Sequence, residues 1–259
     1  MTRQLRILTY NIHKGYCSGN RRFVLEGMRA LIAETGADLV FLQEIHGRHS
    51  GRARHEGRYT YPDRPHFEYL ADQSWPHYAY GRNAIYRKGD HGNAILSKFP
   101  FVRWENINVA LFPRSSRSIL HGVIEIPESG FRLHTLCVHL GLLEQERRGQ
   151  LEILAERIES HVPHNEPLII AGDFNTFWGT HEIYLFMRAA KLRSANTHGL
   201  PSFPSRTPRI ELDFVLVSES IEVTDFRVPD VRFSDHRPVI CDFNVVRSAA
   251  AADSHQSAA

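Results

Sequence analysis

The chain has 259 residues, 42% of them hydrophobic, and a formal net charge of only +2. That is the make-up of globular protein with a real core, one large domain or two small ones, and the charge neither requires nor excludes a polyanionic partner. No apolar run approaches the ~18–20 residues that span a bilayer, and Met1 to Leu8 enters a strand-like pattern without a signal-peptide core, so a soluble, cytoplasmic protein is expected. Cys17, Cys137 and Cys241 are widely spaced and form no C-x-x-C pair, which argues against a disulfide framework and a thiolate zinc site.

Leu5 to His13 reads as a strand with Asn11 at its C-terminal end. A helix is expected from about Arg21, because Val24, Met28, Leu31 and Thr35 fall on one helical face and Gly36 is a good stop. Asp38 to Glu44 reads as a second strand, the apolar run Leu39 to Leu42 ending in Glu44. Strand, helix, strand in that order implies layers of sheet and helix. Residues 46–66 read as a long basic loop, in which Arg48, Arg52, Arg54 or Arg58 either grips phosphate or stays solvated. His46 and His49 lack a third ligand at metal spacing.

From Tyr78 to Val109 short strands alternate with turns, and Gly92 to Ser97 reads as a strand beginning on a turn. Ser118 to Ile126 and Phe131 to His139 predict a hairpin that ends in His139. Glu144 to Val162 predicts a long helix with Leu151, Leu154, Ile158 and Val162 along one face, stopped by Pro163. Leu168 to Ala171 is a short apolar run of the kind a doubly buried strand shows, and Gly172, Asp173 and Asn175 follow it. In an extended chain Asp173 and Asn175 share a face; the alternative is a turn, since Gly, Asp and Asn are common turn formers. Thr180 to Leu192 reads as a helix, residues 196–209 as loop, and Glu211 to Val217 as a strand with Asp213 near its start. Asp235 and His236 can serve one site only from the loop before the final strand, Val239 to Val245. One domain is expected over residues 1–247, with a disordered tail over 248–259.

Polar groups thus follow one apolar run after another: Asn11, Glu44, His139, Asp173, Asn175, Asp213, Asp235 and His236. The set contains oxygen ligands and histidines but no thiolate, which suits a hard cation such as Mg²⁺ or Mn²⁺. No G-x-S-x-G elbow or Walker A loop is present.

These motifs resemble the endonuclease/exonuclease/phosphatase superfamily, which includes DNase I. The matching pieces are Thr9-Tyr-Asn-Ile, Leu42-Gln-Glu, Gly92-Asn-Ala-Ile-Leu-Ser, Val138-His-Leu, Ala171-Gly-Asp-Phe-Asn, Leu212-Asp-Phe-Val and Ser234-Asp-His-Arg-Pro-Val. They occur in family order. Tyr78-Ala-Tyr-Gly-Arg-Asn-Ala and His91-Gly-Asn-Ala resemble, more narrowly, the bacterial YbhP-like branch. The resemblance implies an α/β four-layer sandwich, two mixed β-sheets packed face to face with helices outside. It implies that Asn11 and Glu44 hold a divalent cation, with Asp235 nearby. Asp173 would orient or deprotonate the attacking water, Asn175 and His139 would bind phosphate oxygens, and His236 would contact the scissile phosphate, supported by Asp213. Apurinic endonucleases carry an acid where His13 stands, which weakens an assignment to abasic-site repair. The expected activity is metal-dependent phosphodiester hydrolysis, with DNA or RNA as the leading specific substrate. A lipid headgroup or other small phosphoester is the alternative, and a non-catalytic binding module ranks third. Arg117 either faces phosphate from a loop or, the commoner case, is an ordinary solvated arginine; Trp75, Trp104 and Trp178 are expected in the core, with Trp178 a candidate cleft residue.

Overall fold

The structure is a computed structural model that describes residues 4–49, 61–113, 115–127, 130–177 and 181–246. The expected tail, Trp178, and Arg52, Arg54 and Arg58 of the basic stretch lie outside the described residues. The strands are β1 (Gln4–Asn11), β2 (Leu39–His49), β3 (His77–Tyr86), β4 (Gly89–Ser97), β5 (Phe101–Asn108), β6 (Ser118–Glu125), β7 (Arg132–His139), β8 (Leu168–Asp173), β9 (Leu192–Ser194), β10 (Asp213–Ser218), β11 (Ile221–Arg227) and β12 (Val239–Val245). The α-helices are α1 (Leu25–Glu34), α2 (His66–Ala71), α3 (Glu144–His161) and α4 (His181–Ala189).

Two six-stranded mixed sheets form, in the orders β11-β12-β1-β2-β4-β3 and β5-β6-β7-β8-β10-β9. Each has one parallel pair at its centre, β1 with β2 and β7 with β8. Alternation along these strands divides the apolar residues into layers. Ile7, Phe41, Ile169, Ala171 and Val215 fall in one buried cluster between the sheets. Leu8, Val40 and Leu42 pack in a second with Leu25, Met28 and Ile32 of α1 and Leu70 of α2. Ile170 and Leu216 pack in a third with Leu151 and Leu154 of α3 and Ile183 and Phe186 of α4. The result is helix, sheet, sheet, helix, as the resemblance implied.

Several boundaries differ from expectation. The first helix begins at Leu25 rather than near Arg21, because Tyr16 and Phe23 bridge across the preceding turn. β2 does not stop at Glu44 but runs to His49, so four residues read as loop are strand. His66 opens α2 rather than closing a loop. β4 starts at Gly89 rather than Gly92, and pairs with β3 along its whole length. Trp75 is core, whereas Trp104 is 49% exposed on β5, not buried as expected.

The parallel pairs position the site. Asn11 ends β1, His139 ends β7 and Asp173 ends β8. In register, Asp173 stands beside His139 on one side and Asp213 on the other. Gly172 makes that register possible: it has φ +150°, and a Cβ there would lie 1.9 Å from the Val138 carbonyl oxygen.

Candidate active site

Asp173 is 1% exposed and is the centre of the constellation. Its Oδ2 accepts from Asn11 Nδ2 at 3.0 Å, and its Oδ1 accepts the Asn175 backbone N–H at 3.0 Å. His139 Nε2 and His236 Nε2 approach the same Oδ2 at 3.6 and 3.7 Å, close enough for strong electrostatic influence but beyond a direct hydrogen bond. His236 Nδ1 lies 2.8 Å from Asp213 Oδ2. Asp213 is fixed in turn by the buried Ser202, whose hydroxyl donates to Asp213 Oδ2 at 2.6 Å and accepts the Asp213 N–H at 3.2 Å.

Burial raises the Asp173 carboxyl to about 6, with Asp213 adding to the rise and His236 and Asn11 opposing it. Burial alone would lower His236, but the charges of Asp213 and Asp173 outweigh it and lift the imidazole to about 10. At neutral pH the pair is therefore carboxylate and imidazolium. His139 is held well below the usual histidine range by burial and by the Arg117 charge, so it is neutral there.

Asn175 does not continue the strand. It has φ +53°, the left-handed region, and its Nδ2 donates to the Leu140 carbonyl at 2.8 Å. Neither the extended reading nor a plain turn describes it: the backbone turns and the carboxamide ties the ends of β8 and β7 together.

Glu44 also has a left-handed backbone, φ +53°, in the middle of β2, where the pairing with β4 shifts register between Leu42 and Ile45. This bulge, rather than a strand end, re-aims the carboxylate. Burial would raise the Glu44 carboxyl, but His139, Lys14 and His13 together hold it at about 2. Since His139 is neutral near pH 7, the lysine is the partner that counts there, with Lys14 Nζ 2.9 Å from Glu44 Oε2.

Asp235 and His236 do lie on the loop before β12. The buried Ser234 hydroxyl holds that loop, 2.7 Å from the Asn11 carbonyl oxygen and 3.0 Å from Asp235 Oδ1. The eight expected residues thus fall into two linked groups. Asp173, Asn175, His139, His236 and Asp213 surround one carboxylate. Glu44 and Asp235 connect to it through Asn11, His139, Ser234 and the His13-Lys14 turn.

Four further residues take part in the bonding of the site. Ser202 and Ser234 orient site carboxylates from loops whose serines carry no signal in isolation. Arg117 is not an ordinary solvated arginine: it is half-buried, and its Nε donates to the Leu140 carbonyl at 3.0 Å. Lys14 is the fourth. It sits in three successive left-handed residues, His13 (φ +44°), Lys14 (φ +57°) and Gly15 (φ +83°). Non-glycine residues in that region cost about 1–3 kcal/mol each and concentrate at functional sites.

Buried donors from both sheets converging on the Asp173 carboxylate suit a phosphoester hydrolase. The family model described as "Endonuclease/Exonuclease/phosphatase family" matches residues 8–236, and the chain belongs to that family. It is 38% identical over 247 residues to the uncharacterized protein YbhP of Escherichia coli K12, covering 93% of this chain and 96% of that one. Among solved structures it is similar to an endonuclease/exonuclease/phosphatase from Beutenbergia cavernae, with a TM-score of 0.77 at 21% identity over 94% of this chain and 72% of that chain. It is also similar to the mannosyl-6-phosphatase Bt3783 of Bacteroides thetaiotaomicron, with a TM-score of 0.68 at 17% identity, covering 92% and 99% of the two chains. Among the described residues no helix is long and apolar enough to cross a membrane.

Proposed function

We propose that the chain is a divalent-metal-dependent phosphodiesterase in which Asp173 handles the attacking water. The observation that carries this reading is the arrangement at Asp173 Oδ2: Asn11 Nδ2 at 3.0 Å, and His139 and His236 Nε2 at 3.6 and 3.7 Å. A carboxylate lifted to about 6 is a far better base at neutral pH than an ordinary aspartate, yet still ionised there. The His236 imidazolium, kept charged by Asp213, faces the developing negative charge on phosphorus-bound oxygens. Neutral His139 and the Asn175 side chain complete the phosphate contacts, with Arg117 adding charge from behind the Leu140 carbonyl.

The family's enzymes are generally divalent-metal dependent, and the residues here fit such an ion. Asn11, Glu44 and Asp235 offer hard oxygen donors, and Glu44 already carries a cation, the Lys14 ammonium, on Oε2. When bound, the cation supplies charge neutralisation of the phosphoryl oxygens. Asp173, Asp213 and His236 also bring potential ligand atoms within 4.8 Å of one another. In this reading His236 is bonded to Asp213 at 2.8 Å and paired electrostatically with Asp173 at 3.7 Å, an internal charge set rather than the cation's holder.

Nucleic acid is the leading specific substrate, because the Lys14 ammonium at Glu44 and the Arg117 guanidinium at the Leu140 carbonyl place positive charge beside the phosphate contacts. An apolar rim favours a second reading, a lipid headgroup or another small phosphoester. Leu142 and Leu143, 60% and 62% exposed, directly follow the loop from His139, and Leu111 and Phe112 are 43% and 40% exposed. Leu111 packs against Gly149 of α3, beside that loop.

A substrate panel decides between them: plasmid, abasic duplex, single-stranded RNA, phospholipid vesicles, a sugar phosphate and a chromogenic phosphodiester, each with Mg²⁺, Mn²⁺ or EDTA. Native protein should hydrolyse at least one substrate only with metal, and Asp173→Ala none. Equal activity in both proteins would remove Asp173 from its role, and turnover surviving thorough metal removal would remove the metal.

A further inference from the structure

The His13-Lys14 dipeptide touches all three oxygen donors assigned to the cation. His13 N–H donates to Asn11 Oδ1 at 3.1 Å, His13 Nδ1 lies 3.5 Å from Asp235 Oδ1, and Lys14 Nζ lies 2.9 Å from Glu44 Oε2. Its backbone is fixed rather than draped. Gly15 N–H donates to the Ile12 carbonyl at 2.8 Å, Tyr16 N–H to the His13 carbonyl at 3.0 Å, and Val24 N–H to the Gly15 carbonyl at 2.8 Å. Ile12 N–H in turn donates at 3.2 Å to the carbonyl of Gln43, the neighbour of Glu44. A β-carbon on Gly15 would meet the Phe23 ring at 2.8 Å, so the turn is packed as well as bonded. Two non-glycine residues are therefore held in left-handed backbone where both side chains reach metal-type carboxylates.

We propose that Lys14 is an active-site cation that shares Glu44 with the divalent ion: the ion displaces the ammonium from Glu44, and the freed ammonium binds the substrate phosphate. This rests on the reading of Glu44 as a metal ligand. The chemistry suits the exchange. A carboxylate oxygen in contact with an ammonium gives up that charge partner to coordinate a divalent ion, so the two cations compete and metal affinity falls by the strength of the pair. A lysine head is a compact point charge on a flexible four-carbon stem, so it can move a few ångströms while its backbone stays put. The Lys14 side chain is 34% exposed and Glu44 21%, so both faces of the exchange reach solvent. Arg117, held at the Leu140 carbonyl by its Nε at 3.0 Å, adds a second positive charge where an anion would be received.

The test is a titration of the full chain with Mn²⁺ alone, read by calorimetry or by the Mn²⁺ paramagnetic resonance signal, on the native protein and on Lys14→Met, Lys14→Arg and Glu44→Gln. Lys14→Met should bind Mn²⁺ roughly tenfold more tightly than native protein. Lys14→Arg, which keeps a charge, should stay close to native. Inorganic phosphate should then bind the Mn²⁺-loaded Lys14→Met protein at least about fivefold more weakly than loaded native protein. Unchanged or weaker Mn²⁺ binding in Lys14→Met, while Glu44→Gln loses binding, overturns the competition and leaves Glu44 as a ligand. Undiminished phosphate binding in Lys14→Met overturns the phosphate role. Native-like Mn²⁺ binding in Glu44→Gln overturns the ligand reading itself.

Discussion

At Asp173 and His236 two buried ionisable groups push each other apart in pKa, and the sign of that coupling is testable. His236 is lifted from its ordinary value to about 10 in the fold. A histidine raised in the folded state contributes stability that is complete below the unfolded value, ~6.5, and is lost as pH rises through the folded one. Asp173, raised to about 6, changes stability only at more acidic pH. So does Glu44, held at about 2. The buried thiols Cys137 and Cys241, pushed up to about 12, begin to act only near pH 9. Between pH 7 and 9, then, His236 dominates the described shifts. The native protein in EDTA should lose thermal stability across that window, and Asp213→Asn should flatten the loss because its imidazole no longer faces the Asp213 carboxylate. A profile with the same slope in both proteins would remove the Asp213 pair as the cause.

Residue identity was readable from the sequence where an apolar run stops at a polar group, as at Asn11, His139 and Asp173. Lys14 was not readable, because its role depends on backbone geometry, and Arg117 was readable only as a choice between phosphate and solvent. Three left-handed residues in succession bring Lys14 to Glu44, and no spacing rule anticipates that path. Arg117 acts through a carbonyl on another strand's exit loop.

At the scale of elements, the β7–β8 pairing is the joint that sets catalytic geometry. Gly172→Ala would drive a methyl group into the Val138 carbonyl across the parallel ladder. It should cost more than about 3 kcal/mol in urea unfolding, in the range reserved for forced backbone or core disruption. A loss below ~1 kcal/mol would mean that the ladder relaxes around the methyl. Strands buried on both faces and rich in apolar residues were legible in the sequence, β6, β7, β8 and β12 nearly to the residue. Others were not. β9 has only three residues, and β11 is a sheet-edge strand, half exposed and interrupted by a bulge. Glu44 reads as a strand end in the sequence because a bulge is one extra residue in an otherwise regular run, invisible to periodicity.

At the scale of the whole molecule, the site is a seam between two sheets: Asn11, Glu44, Asp235 and His236 come from β1, β2 and the loop before β12, and His139, Asp173 and Asp213 from β7, β8 and β10. A cation held by Asn11, Glu44 and Asp235 would add to the stability of that seam by mass action. At a hundred times its dissociation constant, Mn²⁺ should stabilise the fold by about 2.7 kcal/mol, or roughly 5–10 °C in melting temperature. Glu44→Gln should lose most of that shift, and an undiminished shift would place the cation elsewhere. The two-sheet architecture itself was foreseeable, since seven motifs appear in family order along nearly the whole chain. The substrate was not, because it is set by loops and rims, here Leu111, Phe112, Leu142 and Leu143, whose exposure no motif encodes.

In the proposed mechanism a cation and Asp173 act together on a phosphoester. The most direct measurement is the kcat for a chromogenic phosphodiester at pH 7.5, for native protein and Asp173→Asn, each in Mn²⁺ and in EDTA. Turnover is expected only with Mn²⁺, and Asp173→Asn should then be slower than native protein by roughly 10²–10⁴-fold, the usual contribution of a positioned acid–base group. Asp173→Asn turning over within about threefold of native protein in Mn²⁺, against that 10²–10⁴-fold expectation, would contradict the mechanism.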